Sequence, residues 1–309
     1  MKKLNFELAH VRNKGVFVLL SFFLLLGCTQ KATKQQKQLS QYPSPMVETT
    51  RAHERIAKDH LPGVDFTITD CLAKPVEVYI PEHRSNSEDI DLLIHFHGTG
   101  YVAKHAVFHS EHAFVLAVVN LGSGSSAYEK PFVDQAIFPN LIAAIRGSVG
   151  FKINRIYLSS FSAGYGAVRA LLKNHMQMLD GIILLDGLHT DYVPDRVVLA
   201  QGGALNTTKL ADFVKFAQFA SKGEKRFLIT HSEIFPGTYA STTETADYLI
   251  DTLHLQRRPE LKWGPLGMQR VSEVQEKGLK IFGYAGNTAP DHVDHLHGLG
   301  YFLMQLMAD

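Results

Sequence analysis

The chain has 309 residues, 45% of them hydrophobic, which is enough for one domain of about 250 residues around a large core. Its 31 Lys and Arg against 30 Asp and Glu leave no basic field for nucleic acid. The only cysteines are Cys28 and Cys71, so a Cys-based zinc site is excluded, and a disulfide is open to the chain only if Cys28 stays unmodified.

Lys2, Lys3, Arg12 and Lys14 precede the apolar run Val16 to Leu26, which is short for a bilayer span and of the length of a signal-peptide core. The run ends in Leu25-Leu26-Gly27-Cys28, which resembles a bacterial lipobox. The resemblance implies removal of residues 1–27 and an acyl-modified Cys28 that tethers the protein to a membrane of the cell envelope. An uncleaved anchor would also hold the rest outside the cytoplasm. Thr29, with no aspartate in that place, points to outer-membrane sorting in a Gram-negative cell. Cleavage takes four basic residues and one acidic residue, leaving 27 against 29. Residues 28–50 are rich in Lys, Gln, Ser and Pro and read as a polar tether, with the folded domain over residues 51–309.

Within the domain, Gly63 to Asp70 and Pro75 to Pro81 read as a pair of half-buried strands, with a charged, Ser-rich break at His83 to Asp89. Buried strands follow at Asp91 to Phe96, Phe114 to Asn120, Arg155 to Ser159, Gly181 to Asp186, Arg226 to Thr230 and Leu279 to Tyr284. Helical patterns cover Gln135 to Val149, the stretch from Ala163, Lys209 to Lys222, Thr243 to Leu255 and Val293 to Met307. Strands alternating with helices imply a mostly parallel sheet covered on both faces.

The stretch with the most chemical content is Ser160-Phe161-Ser162-Ala163-Gly164, between the strand ending at Ser159 and the helix from Ala163. It is a close variant of the G-x-S-x-G nucleophile elbow, which perches a serine hydroxyl on a strand-to-helix turn, with Ser160 in place of the first glycine. With the opening strand pair, the third strand ending in His97-Gly98 and the serine after the fifth strand, nearly the whole domain resembles the α/β hydrolase superfamily. The resemblance implies an eight-stranded sheet and a nucleophile, acid, histidine order along the chain.

A serine hydroxyl attacks only when an imidazole takes its proton and an acid orients that imidazole. Ser162 is the expected nucleophile. The histidine position between the last strand and last helix offers His292 in a first helical turn after Pro290-Asp291, and His295 three residues on; His297 is left structural. Two acids compete. Asp186 closes the sixth strand, as in the pancreatic-type lipases, and Glu233 follows the seventh, where most of the superfamily carries its acid. Asp186 is preferred because a carboxylate at the end of an apolar strand needs a partner. The oxyanion donors are expected at Ala163 and at Thr99 or Gly100, with Gly98 and Gly100 freeing the loop backbone.

The expected activity is hydrolysis of a small ester-like substrate through an acyl-enzyme, with no cofactor. The segments His189 to Asn206 and around Trp263 are long enough to lie over the pocket. Two other readings remain open. His95, His97, Asp291, His292, Asp294 and His295 carry spacings that suit zinc in a metallohydrolase, and a noncatalytic binding lipoprotein would keep the fold without turnover.

Overall fold

The computed structural model describes residue 56 and residues 58–84 and 90–308. The leader, Cys28 and the tether lie outside these described residues. Among them no helix is long and apolar enough to cross a membrane.

The eight expected strands all form: β1 (Gly63–Ile68), β2 (Val76–Pro81), β3 (Ile90–Phe96), β4 (Phe114–Val119), β5 (Ile153–Phe161), β6 (Gly181–Leu185), β9 (Arg226–His231) and β12 (Leu279–Tyr284). Two small strands, β7 (Tyr192–Val193) and β8 (Ala204–Leu205), pair inside the segment expected over the pocket. The main sheet has ten strands rather than eight, in the order β1-β2-β4-β3-β5-β6-β9-β12-β11-β10. The additions are β10 (Arg258–Trp263) and β11 (Gln269–Glu276), an antiparallel hairpin on the edge beyond β12. The stretch around Trp263, expected as a pocket loop, is therefore an edge strand. Arg270 explains its stability there: it ion-pairs with Glu260 at 2.7 Å and lies 4.4 Å over the Phe282 ring of β12.

Strands β4, β3, β5, β6, β9 and β12 are parallel neighbours, and the sheet is buried on both faces, so alternate residues supply two cores. Leu92, Ile94, Leu158, Leu184 and Ile229 face one side. There they meet α3 (Ile137–Ser148), α4 (Tyr165–His175), α5 (Ala211–Ser221) and α6 (Thr242–Thr252). Leu93, Tyr157, Ile183, Leu228 and Phe282 face the other side, against α1 (Gly100–Phe108) and α8 (Leu299–Met307). The short α2 (Ser125–Glu129) packs beside α4, where Gly166 approaches so closely that a Cβ would lie 2.1 Å from the Ser125 carbonyl oxygen.

The single helix expected over Val293 to Met307 is two, α7 (Ala289–His297) and α8, joined at Gly298. A side chain at Gly298 would meet the Phe302 ring at 2.7 Å and Pro265 at 3.0 Å. The break lets α8 lie on the sheet while α7 stays at the strand ends.

Candidate active site

The C-terminal ends of the parallel strands share one edge of the sheet, and three of them run directly into backbone that side-chain-bearing residues seldom adopt. His97 follows β3 at φ 70°, Ser162 follows β5 at 46° and Asp186 follows β6 at 43°. Each such residue costs about 1–3 kcal/mol, so the surroundings must enforce it. They do so by contact. A Cβ on Gly164 would lie 2.2 Å from the Phe96 carbonyl oxygen at the end of β3. One on Gly187 would lie 2.6 Å from the Ser162 oxygen and 2.8 Å from its nitrogen. Glycine is required at both places, and the ends of β3 and β6 grip the Ser162 turn from two sides. Ser160, in place of the first glycine of the motif, is fully buried, and its hydroxyl has no partner among the described residues.

A partly exposed serine now stands on a strained turn between the fifth strand and its helix, in a sheet whose first eight members run β1-β2-β4-β3-β5-β6-β9-β12. This is the α/β hydrolase fold.

Asp186, 2% exposed, collects four hydrogen bonds. Its Oδ2 accepts from His292 Nδ1 at 2.7 Å and from Ser232 Oγ at 2.7 Å. Its Oδ1 accepts from the Ser232 amide at 2.9 Å and from Thr242 Oγ1 at 2.5 Å. Burial opposes ionisation, but the His295 and His292 rings and the bonds from His292 and Thr242 outweigh it and hold the carboxyl well below its ordinary range. An ionised Asp186 takes the proton-bearing Nδ1 of His292 and leaves Nε2 with its lone pair.

His292 reaches this position because α7 starts with a capping box. Asp291 Oδ2 accepts from the Thr288 amide at 2.9 Å and from its hydroxyl at 2.6 Å, and the His292 amide donates to the Thr288 carbonyl at 3.1 Å. The imidazole also packs on Phe161, the residue before Ser162, with ring centroids 4.5 Å apart. The His97 ring lies nearly parallel to Phe161 at 6.0 Å, so two imidazoles pack against the residue that precedes Ser162. His97 is fixed through its Nδ1 to the Tyr128 hydroxyl at 2.8 Å, which itself donates to the Gly122 carbonyl at 2.9 Å. No hydrogen bond engages Ser162 Oγ among the described residues.

The other candidates are placed as follows. His295 is 1% exposed and turned into the sheet, its Nδ1 2.7 Å from Thr230 Oγ1, and burial pushes its pKa down to about 4. With that nitrogen on Thr230, the imidazole hydrogen-bonded to Asp186 is that of His292. Glu233 is exposed and spans to the loop before α7, accepting from the Gly286 amide at 3.1 Å; it does not bond either imidazole. The backbone of Gly98, at φ 119°, is tied to Asn120 at both its amide, 3.1 Å, and its carbonyl, 2.9 Å. That amide is therefore committed. Thr99 caps α1 and Gly100 begins it, so their amides have no helical acceptor, and Ala163 lies in the turn after Ser162.

The zinc-like spacings do not converge. His95 is fully buried with Nδ1 on Ser159 Oγ at 2.8 Å, His97 is on Tyr128, and Asp291 caps α7. Among the described residues no group of three or more His, Cys, Asp or Glu side chains could share a metal ion.

No family model and no curated protein matches the chain. Solved structures do. Est1E from Butyrivibrio proteoclasticus is similar at 14% identity and a TM-score of 0.42, covering 80% of this chain and 100% of its own. A feruloyl esterase module from Clostridium thermocellum complexed with sinapinate is similar at 12% identity and 0.47, covering 80% and 90%. A thermostable esterase matches at 14% and 0.44, covering 80% of this chain and 60% of that one.

Four contributors escaped the sequence. Ser232 and Thr242, which hold Asp186, come from the end of β9 and the start of α6; Phe161 and Asn120 shape the serine turn and the Gly98 loop. The one available signal was Ser241-Thr242-Thr243-Glu244, a capping box that places Thr242 at the head of α6.

Proposed function

We propose that the chain is a serine hydrolase acting on carboxylic esters. In this reading Ser162 is the nucleophile, His292 Nε2 takes its proton, and Asp186 holds the imidazole in the Nδ1–H tautomer and balances the imidazolium that forms. The observation that carries it is the 2.7 Å bond between His292 and Asp186, on a residue that Gly187 presses against the backbone of Ser162. The tetrahedral oxyanion would take its donors from the Ala163 amide and from Thr99 or Gly100. Closure of Nε2 onto the serine hydroxyl belongs to the substrate complex, since catalytic hydrogen bonds are often long before substrate binds.

A fluorophosphonate probe tests this directly. The purified domain is expected to label stoichiometrically at Ser162, and Ser162→Ala to take up none. Labelling retained in Ser162→Ala, or absent from a folded wild type, would remove the nucleophile and the proposal with it.

The same proposal places the enzyme on a membrane through Cys28, on the strength of the Leu25-Leu26-Gly27-Cys28 run and the polar stretch that follows it. Metabolic labelling with an alkynyl fatty acid should tag the full-length chain and fail to tag Cys28→Ala. A chain equally tagged in both would sink the anchor while leaving the hydrolase intact.

A further inference from the structure

We infer that Arg257 is a positioning residue for Asp186, acting through His231, Thr243 and Ser232 from the far side of the sheet end. The inference rests on Asp186 being the acid of the proposed hydrolase.

Arg257 joins three elements. Its Nη1 donates to His231 Nε2 of β9 at 2.8 Å and to Ser272 Oγ of β11 at 2.8 Å, and its Nη2 donates to Asp247 of α6 at 2.5 Å. A guanidinium only donates, so the roles along the rest of the path follow without choice. His231 Nε2 must accept, which leaves the proton on Nδ1, and Nδ1 donates to Thr243 Oγ1 at 2.9 Å. The Thr243 hydroxyl then donates to the Ser232 carbonyl at 2.7 Å. Ser232 turns both its amide and its hydroxyl onto Asp186. The path also closes on itself: Asp247 is one helical turn from Thr243 on α6, and the neighbouring Thr242 donates to Asp186 Oδ1.

The node is built rather than incidental. His231 is buried, and burial together with the Arg257 charge keeps its pKa at about 3, so the ring stays neutral and the tautomer fixed. Gly283 on β12 makes the room. A Cβ there would lie 2.5 Å from Ser272 Oγ and 2.7 and 2.8 Å from two atoms of the His231 ring. Arg257 is itself a quarter exposed, so the part of this path that reaches the surface is a charged clasp 25% open to solvent.

Arg257 touches neither Ser162 nor His292, so its effect must appear in the orientation of the imidazole and not in substrate affinity. A misplacement of the order of 1 Å at a reacting group costs about 10²-fold in rate. Arg257→Ala is expected to lower kcat at least 10-fold with KM changed less than about 2-fold. The downfield proton resonance of His292 Nδ1–H should shift or broaden, and methylguanidinium, which can refill the open clasp, should recover much of kcat where ammonium does not. Thr243→Val, which is isosteric and leaves Arg257 in place, should reproduce the kcat loss and the resonance change if Arg257→Ala proves too unstable to assay. A folded Arg257→Ala or Thr243→Val with the parent kcat and an unmoved resonance overturns the inference and leaves the hydrolase standing. If the parent enzyme shows no Ser162-dependent turnover, the hydrolase reading fails, and the His292 resonance in the two variants still decides whether Arg257 positions the pair.

Discussion

Ser162→Ala and His292→Ala are each expected to reduce ester turnover by at least about 10⁴-fold, and the double variant to be no slower than either alone. The reason is that nucleophile and base act in one step: a serine without its imidazole is as inert as an imidazole without its serine. Asp186→Asn should fall nearly as far with the fold retained. Three groups point protons at the two carboxylate oxygens from Ser232 and Thr242, and the fourth is His292 Nδ1–H. An amide NH₂ placed among them faces a donor whichever way it turns, unless His292 flips to its other tautomer, which puts a proton on Nε2 where the lone pair is needed. Steady-state kinetics on a short-chain ester, with circular dichroism to confirm folding, checks all four proteins. Losses that multiply in the double variant would show that Ser162 and His292 do not work as a pair.

A second large effect is expected from acid. His95 and His231 have pKa values pushed down to about 3, and His295 to about 4, with burial the leading cause in each. In the unfolded chain all three titrate near 6.5. Below that pH the unfolded state binds three protons that the folded state refuses, so stability falls as pH falls, until the folded pKa values are reached. Each proton contributes a slope of about 1.4 kcal/mol per pH unit, or about 4 kcal/mol per unit for the three. A domain of ordinary stability, about 5–15 kcal/mol, would then unfold within a few pH units below 6.5. Asp186 adds its own loss only lower, because its depressed pKa contributes stability above the ordinary carboxylate range that disappears as pH drops through it. Urea unfolding midpoints from pH 7 to 4.5 measure the slope, and His95→Asn should reduce it by about one proton. A flat midpoint between pH 6.5 and 5 would contradict buried neutral imidazoles at these three places.

How much of this was legible beforehand depends on how local each signal is. The elbow could be read because its residue types fall within five positions, with the small Gly164 two places after Ser162 and the apolar strand stopping just before it. The six parallel strands were readable because they are buried on both faces and appear as apolar runs, and the opening pair because its half-buried strands are bounded by turn residues. The β10 strand was not, because Arg258–Trp263 lies at an edge with no buried residue and with even Leu261 and Trp263 each 75% exposed. The division between α7 and α8 was hidden for the opposite reason, since apolar periodicity continues across Gly298 and only contact with Phe302 and Pro265 reveals the break. Choosing between Asp186 and Glu233, or between His292 and His295, required knowing which side chains meet across separations of 106 and 65 residues. No local pattern records that.

Asp186 sits at the end of β6, while the segment after β9 steadies it from both of its ends, with the Ser232 amide and hydroxyl at one and the Thr242 hydroxyl at the other. Between those two fixed points the chain shows Phe235 half exposed and Tyr239 43% exposed, the latter edge-on to His189 at 5.0 Å. An exchange within 235–239 is therefore expected to alter this aromatic cluster while the Ser232 and Thr242 donors to Asp186 stay where they are.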